Sequence, residues 1–115
     1  MAKNNGDRKY VVVLITCPQH AAARIVSVIM LKRLAACVNS MPNISSTFRW
    51  EGKLTSDMES LLLVKTRREL FGDLEREVRK LHPYKNPEII CLPIVRGSTN
   101  YLSWVAKETR ARKRK

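Results

Sequence analysis

The segment HPYKNPE, from His82 to Glu88, brings an imidazole, a phenol, a lysine and a carboxylate together in one short stretch. Its two prolines stiffen a loop between a predicted helix and a predicted strand, and polar loops of this kind often carry binding sites. The helix dipole favours His82 as a cation at the end of a helix. Two interpretations are equally supported for His82 and Tyr84: they bind a ligand, or they cap the helix and pack at the edge of the core.

A second candidate pair is Glu59 and Lys65, which lie on one predicted strand and face the same side because side chains alternate along a strand. They could frame a charged pocket in which Lys65 holds an anion or a carboxylate. The ordinary alternative, a lysine whose stem follows the apolar surface to solvent, is slightly favoured. Trp50 could stack on a ligand beside this pocket, although an anchor in the core or at an interface is the commoner role of a tryptophan.

The residues that could hold a transition metal are dispersed along the chain. The soft and borderline donors are Cys17, His20, Cys37, His82 and Cys91. Only the first two are spaced as a ligand pair, and a single CxxH pair is a weak signal that favours unrelated residues. Three cysteines without CxxC spacing argue against a disulfide framework and a zinc ribbon, and they indicate reduced thiols. No motif for a catalytic nucleophile, a phosphate loop or a zinc protease occurs, so we expect no enzyme activity.

The chain of 115 residues fits one domain, which we place at residues 10–106. Residues 1–9 are polar, and we expect them to be flexible. The longest apolar stretch of the first predicted helix, IVSVIML, is far shorter than a membrane span and is followed by two basic residues. Nothing resembles a secretory signal. These features predict a cytoplasmic protein without a membrane partner.

Nearly half of the formal net charge of +12 lies at one end, because residues 107–115 carry six basic groups and one acidic group. Such a run repels itself, and we predict a disordered, solvated tail. Nucleic acid would be bound only through this tail. That role is not favoured, because no aromatic residues are interleaved to stack on bases.

The elements that must position these residues follow from the apolar patterns. YVVVLITC at 10–17 predicts a strand, helical spacing predicts a helix over 19–36, and ESLLLVKT at 59–66 predicts a central strand buried on both faces. Residues 38–50 are predicted to be an extended arm that Pro42 kinks. The chain reverses either at the polar TSD segment, 55–57, or at Gly52.

The C-terminal half continues the alternation of helices and strands. TRRE at 66–69 reads as a capping box, and a helix follows it and ends at His82 before Pro83. A strand is predicted over 88–95, with Pro93 placing it at an edge or an end of the sheet. A short terminal helix follows Gly97.

This order predicts an α+β, ferredoxin-like (split βαβ) fold, with an antiparallel sheet, the two helices on one face, a long central hairpin and an extra C-terminal helix. The other face of the sheet stays partly apolar and uncovered. A fully extended arm over residues 38–50 would span about 40 Å, which exceeds what one small domain can cover. Both features predict self-association.

Several phrases together resemble the CutA family of divalent-cation tolerance proteins. They are LAACVNSMP at 34–42, WEGK at 50–53, ESLLLVKT at 59–66, HPYKNPEI at 82–89 and YLSW at 101–104, and the resemblance runs from about residue 11 to residue 107. It implies a homotrimer assembled through long hairpins, similar in architecture to the PII signalling proteins. The basic tail lies outside it.

The resemblance also implies a role in the tolerance of divalent ions, with copper or another divalent cation as the candidate ligand. A cleft between subunits would be lined by Cys37, Trp50, Lys65, His82, Tyr84 and Glu88. Glu59 is added to this cleft because it lies on the same strand face as Lys65. The family motif has a strand cysteine and two adjacent histidines where this chain has Ile15 and Leu81-His82. This departure leaves His82, with Cys17 as a substitute, as the candidate metal ligands. The alternative function is a PII-like regulatory trimer that binds a small anion or a partner protein.

Overall fold

The structure is a computed structural model that describes residues 9–111. Its elements are β1 (Tyr10–Cys17), α1 (Gln19–Leu31), β2 (Cys37–Trp50), β3 (Lys53–Arg67), a 3-10 turn (Arg68–Leu70), α2 (Phe71–Leu81), β4 (Ile89–Pro93) and α3 (Thr99–Glu108). The predictions for residues 1–8 and 112–115 lie outside the described part of the chain. None of the helices within residues 9–111 is long and apolar enough to cross a membrane.

The four strands form one antiparallel sheet in the order β2-β3-β1-β4. The central strands β1 and β3 pair along their length, with Val13 opposite Val64 and Ile15 opposite Leu62. The helix α1 connects β1 to β2, which are not neighbours, and β4 lies at an edge as Pro93 indicated. This is the split βαβ arrangement, so the predicted fold class is confirmed.

The core lies between the sheet and the two helices α1 and α2. Alternate residues of the central strands are fully buried, and they pack against one face of each helix. The fully buried side chains include Val11, Val13, Ile15, Ile25, Ile29, Leu62, Val64, Leu74 and Val78. Both helices therefore cover the same face of the sheet, as the apolar spacing predicted.

The opposite face of the sheet is apolar but only partly covered. Leu14, Leu61 and Leu63 alternate with the core residues and are half-buried. On the edge strand β4, Ile90 and Leu92 are each 44% exposed. A second apolar surface therefore remains open on the described protomer.

The hairpin of β2 and β3 extends well beyond the core. Its strands have 14 and 15 residues, and the molecule is elongated, with extents of 47 × 29 × 27 Å. The ladder shifts register between Met41 and Ile44, which confirms the interruption predicted at Pro42. The chain reverses at Glu51 and Gly52, with φ angles of 51° and 82°. Of the two predicted turns, the one at Gly52 is confirmed and the one at TSD is wrong. Asp57 pairs with Ser46 inside the ladder, because a glycine supplies the positive φ that a tight turn needs.

The predicted capping box at 66–69 is also wrong, because both of its side chains have other partners. Thr66 belongs to β3, and its hydroxyl donates to the Leu34 carbonyl at 2.7 Å. The Glu69 carboxylate accepts from Arg67 at 2.6 Å.

The predicted first helix was too long: α1 ends at Leu31, and Arg33 follows with a φ of 55°. The strand predicted over 88–95 shortens to β4.

The C-terminal segment is ordered further than predicted. Helix α3 includes Lys107 and Glu108, and Thr109 is buried. The Arg67 guanidinium donates to the Thr109 hydroxyl at 2.8 Å and to the Arg110 carbonyl. Arg110 in turn donates to Asp73 at 3.0 Å. The prediction of a disordered tail from residue 107 is therefore wrong as far as Arg110, because polar contacts replace the missing apolar anchors.

Candidate functional site

The ring of His82 is held by backbone groups on both sides. His82 follows the last residue of α2 and is 7% exposed. Its Nε2 lies 2.7 Å from the Thr16 carbonyl, and its Nδ1 lies 3.2 Å from the Tyr84 backbone nitrogen. Because a carbonyl accepts and an amide donates, Nε2 must carry the proton and Nδ1 must accept. The imidazole therefore ties the end of α2 to the end of β1.

Tyr84 and Glu59 form the second part of this cluster. The Tyr84 hydroxyl donates to Glu59 Oε2 at 2.8 Å, and Glu59 is only 5% exposed. Burial, followed by the bond to Glu59, raises the pKa of Tyr84 to about 12. The phenol thus stays protonated and serves as a donor to the carboxylate. The exposed Glu88 accepts from the Thr16 hydroxyl at 3.2 Å.

Cys17 adjoins this cluster from the core side. It is fully buried, and burial together with the nearby Glu59 carboxylate raises the pKa of its thiol to about 11. The cysteine is therefore a protonated core residue at neutral pH. His20 of the CxxH pair is exposed on α1. We call the group of Thr16, Cys17, Glu59, His82, Tyr84 and Glu88 the Glu59 cluster.

The donors of one protomer do not fit a divalent metal ion. A metal ion would have to displace the proton of the buried Cys17 thiol, and both nitrogens of His82 are already hydrogen-bonded to backbone groups. Within residues 9–111, no three side chains of His, Cys, Asp or Glu converge. A metal site here would require donors from another copy of the chain or a rearranged His82.

A separate polar cluster surrounds Lys65 near the other end of β3. Its ammonium donates to the Asn39 side chain, and Cys37 lies opposite it across the ladder. Tyr101 of α3 lies near Cys37, and burial, followed by the neighbouring Cys37, raises the pKa of its phenol. We call the group of Cys37, Asn39, Lys65 and Tyr101 the Lys65 cluster. Its lysine is half-buried and its amide partner is exposed.

The residues predicted to form one cleft thus fall in three places on the protomer. Glu59 and Lys65 are six positions apart on β3, which corresponds to about 20 Å. Trp50 lies at the tip of the hairpin and is 53% exposed. One protomer cannot bring these groups to a common ligand, and only neighbouring copies could do so.

Three contacting residues were missed in the sequence: Thr16, Asn39 and Tyr101. Thr16 lies outside the quoted motifs and Asn39 lies inside LAACVNSMP, but the contacts of both depend on residues 66 and 26 positions away. Tyr101 was predicted to lie on the terminal helix, but its contact with Cys37 follows only from where that helix packs. Spacing along the chain therefore offered no signal for these roles.

The fold and its polar clusters define a class: a ferredoxin-like α+β protein with a long apolar hairpin and a polar loop after its second helix. The sequence model of the CutA1 divalent ion tolerance protein matches residues 11–108. The chain belongs to this CutA1 family.

Individual relatives agree with this assignment. The divalent-cation tolerance protein CutA of Thermus thermophilus is 48% identical over 99 residues, which cover 85% of this chain and 96% of that protein. The chloroplastic protein CutA of Arabidopsis thaliana is 45% identical over 101 residues, which cover 87% of this chain and 56% of that protein. The chain therefore spans nearly all of the bacterial relative but about half the length of the plant relative.

Solved structures show the same architecture. The divalent cation tolerance protein (Cut A1) from Thermus thermophilus has a TM-score of 0.85 at 45% identity, covering 88% of this chain and 99% of that one. The crystal structure of CutA1 from Oryza sativa has a TM-score of 0.86 at 43% identity, covering 89% of this chain and 94% of that one.

Proposed function

We propose that this chain forms a homotrimer that acts in tolerance to divalent metal ions, with the clefts between its subunits as the working sites. The observation that carries the proposal is the long β2–β3 hairpin, whose apolar side chains are open to solvent on the protomer. Trp50, Leu54 and Met58 are 53%, 69% and 55% exposed. We call the part of this hairpin that extends beyond the core the ribbon. Large apolar groups concentrated on such a ribbon are typical of an interface.

The uncovered face of the sheet supports the same proposal. Leu61 and Leu63 lie on the same face of the hairpin as Trp50, and Ile90 and Leu92 extend this face to the edge strand. Leu54 and Met58 lie on the other face of the hairpin. Neighbouring copies that cover this surface would also bring the Glu59 cluster of one subunit toward the Lys65 cluster or Trp50 of another. In an assembly with closed rotational symmetry, every copy buries the same apolar surface against its neighbours.

Copper or another divalent cation is the ligand proposed for these clefts. The names of the relatives from Thermus thermophilus support divalent cations as a class. Because His82 would have to exchange its backbone partners for the metal, we propose weak and transient binding. The absence of a catalytic motif in the sequence supports a non-catalytic role.

Calorimetric titration with Cu²⁺ and Zn²⁺ tests this ligand. The wild-type protein should bind, and His82→Ala should lose at least about tenfold in affinity, as expected when one ligand is removed. His20→Ala is the matched control, because His20 is exposed on α1 outside the cluster. Unchanged binding in His82→Ala, or equal loss in both variants, would contradict the assignment of His82.

A PII-like regulatory trimer that binds a small anion or a partner protein is the second candidate. The observation that favours it is Lys65, a half-buried cation that is bound to an amide rather than to a carboxylate. Such a lysine can accept an anion without first breaking an ion pair. Anion binding that is lost in Lys65→Gln, together with metal binding that is absent, would select this candidate.

We also propose a cytoplasmic location and no contact with nucleic acid. The support for the location is that Cys17, Cys37 and Cys91 are all free thiols, as expected in a reducing compartment. Immunoblots of fractionated cells test the location.

Nucleic-acid binding through the basic tail would appear as steeply salt-dependent retention that is lost on truncation after Thr109. We expect no such retention.

A further inference from the structure

A cavity lies beside the start of α2, outside both polar clusters. It has a volume of about 480 Å³. Its charged lining residues are Arg68, Glu69, Asp73 and Arg76, and its apolar wall includes Phe71 and Cys91. We call it the α2 pocket. It does not include residues of the Glu59 cluster or the Lys65 cluster.

The carboxylates of the α2 pocket are already neutralised. Glu69 Oε2 lies 2.6 Å from Arg67, whose side chain is only 11% exposed. Asp73 accepts from Arg76 and, at 3.0 Å, from Arg110 of the C-terminal segment. These bonds, that of Arg110 foremost, hold the pKa of Asp73 below its ordinary value. Both carboxylates are therefore already paired with arginines.

The charge that remains is positive. The lining alone is balanced, with Arg68 and Arg76 against Glu69 and Asp73. Arg67 and Arg110 pair with these two carboxylates from outside the lining, so the whole group of four arginines and two carboxylates carries two positive charges. Arg68 is exposed, and among residues 9–111 no carboxylate lies within ion-pair distance of it. A planar guanidinium with unused donors is suited to bind a phosphate through two parallel hydrogen bonds.

The apolar wall accounts for the rest of the cavity. Phe71 and Cys91 are half-buried and pack against the core. Burial raises the pKa of the Cys91 thiol, so this side of the pocket stays neutral. A volume of about 480 Å³ is too large for inorganic phosphate alone, and it lies in the range of about 300–1,000 Å³ that small-molecule sites occupy.

We propose that the α2 pocket binds a small organic phosphate that carries a flat apolar group, such as a nucleoside monophosphate. The phosphate lies against Arg68 and Arg76, and the flat group lies against Phe71 and Cys91. The pocket depends on the C-terminal segment, because Arg110 neutralises Asp73. The proposal is independent of the function of the intersubunit clefts.

Calorimetry on the full chain with adenosine 5′-monophosphate and with inorganic phosphate tests the proposal. Adenosine 5′-monophosphate should bind, inorganic phosphate should bind at least about tenfold more weakly, and Arg68→Ala should weaken the nucleotide by at least about tenfold. Arg24→Ala is the matched control, since it removes the same charge from an exposed position on α1. Equal affinity for the two probes, equal loss in the two variants, or no binding of the nucleotide would overturn the proposal.

Two further measurements distinguish this site from the intersubunit clefts. Gly72 lines the pocket, and an added Cβ would meet no atom within 4 Å, so Gly72→Leu should fill the cavity and abolish nucleotide binding while the helix persists. Adenosine 5′-monophosphate should also slow the reaction of Cys91 with N-ethylmaleimide, as read by peptide mapping, and leave that of Cys37 unchanged. Protection of Cys37 instead of Cys91, or full binding by Gly72→Leu, would contradict the assignment.

Discussion

At the scale of the residue, the Glu59 cluster shows how a buried carboxylate is stabilised. Glu59 is nearly inaccessible to solvent, and the Tyr84 hydroxyl donates to it at 2.8 Å. A buried charge without donors is costly, because desolvation is not compensated. The same hydrogen bond fixes the loop after α2 against β3. The cluster is therefore both a candidate site and a structural link.

Tyr84→Phe should lower the free energy of unfolding by about 1–2 kcal/mol, because Glu59 loses its donor while the ring is retained. Urea unfolding followed by circular dichroism measures this change. Tyr10→Phe is the matched control, since the Tyr10 hydroxyl has no hydrogen-bond partner within residues 9–111. An equal effect of the two substitutions would show that the bond to Glu59 contributes nothing.

Asp73 predicts a dependence of stability on pH. Its bonds with Arg110 and Arg76 lower its pKa from the ordinary value of 3.8. A carboxyl whose folded pKa is depressed stabilises the protein above its unfolded pKa, and this stabilisation is lost as the pH falls through the folded pKa. Asp73→Asn should therefore be less stable than wild type at pH 7, and the difference should shrink below about pH 4.

Urea midpoints of both proteins between pH 7 and pH 2 measure that difference. Asp57→Asn is a suitable control, because Asp57 is exposed on β3 outside this network. A constant difference between wild type and Asp73→Asn at all pH values would contradict the linkage.

At the scale of the element, the hairpin depends on its turn and its bulge. Glu51 and Gly52 both have positive φ, and the bulge after Met41 places Asn43 at a φ of 62°. Two consecutive positive φ angles match the twist of the flanking strands. The turn therefore sets the register of the overhanging ribbon.

Gly52→Ala should destabilise the protein by about 1 kcal/mol, because a side chain is disfavoured at positive φ. An added Cβ would meet no atom within 4 Å, so the effect arises from the backbone alone. Gly72→Ala is the matched comparison: it lies in α2 with equally open space and should stabilise by about 0.5–1 kcal/mol. Thermal unfolding tests whether the melting temperature falls in Gly52→Ala and rises in Gly72→Ala. A shift of both melting temperatures in the same direction would refute the explanation.

At the scale of the whole molecule, the ribbon and the open sheet face leave apolar surface that one protomer does not cover. The elongated extents reflect a hairpin that projects from a small core. The proposed trimer would bury this surface and assemble the dispersed site residues. Stability and site formation would then both depend on self-association.

Light scattering after size-exclusion chromatography should give about three times the chain mass of 13.2 kDa. Trp50→Ser combined with Leu54→Ser removes two exposed apolar side chains of the ribbon and should shift the protein toward smaller species at micromolar concentration. Leu31→Ser is the control, because Leu31 is 80% exposed at the end of α1, away from the ribbon. A monomeric wild type would contradict the proposed assembly.

The sequence alone determined the number and order of the strands and helices, the long hairpin and the split βαβ arrangement. These features are local, because apolar periods of two and about 3.6 residues fix which faces are buried, and prolines and glycines mark the ends. It also determined which loop concentrates titratable groups, since His82, Tyr84 and Glu88 are close neighbours in the chain.

Only the tertiary structure decided what those groups contact. The Thr66 hydroxyl binds a carbonyl 32 positions away, Arg67 binds Thr109 across 42 positions, and His82 binds Thr16 across 66 positions. A side chain with several satisfactory partners takes the one that packing brings within reach, and chain spacing carries no record of that choice. For this reason Thr66 of the predicted capping box bonds to a distant carbonyl, Glu69 bonds to Arg67 instead, and the predicted cleft separates into distinct clusters on the protomer.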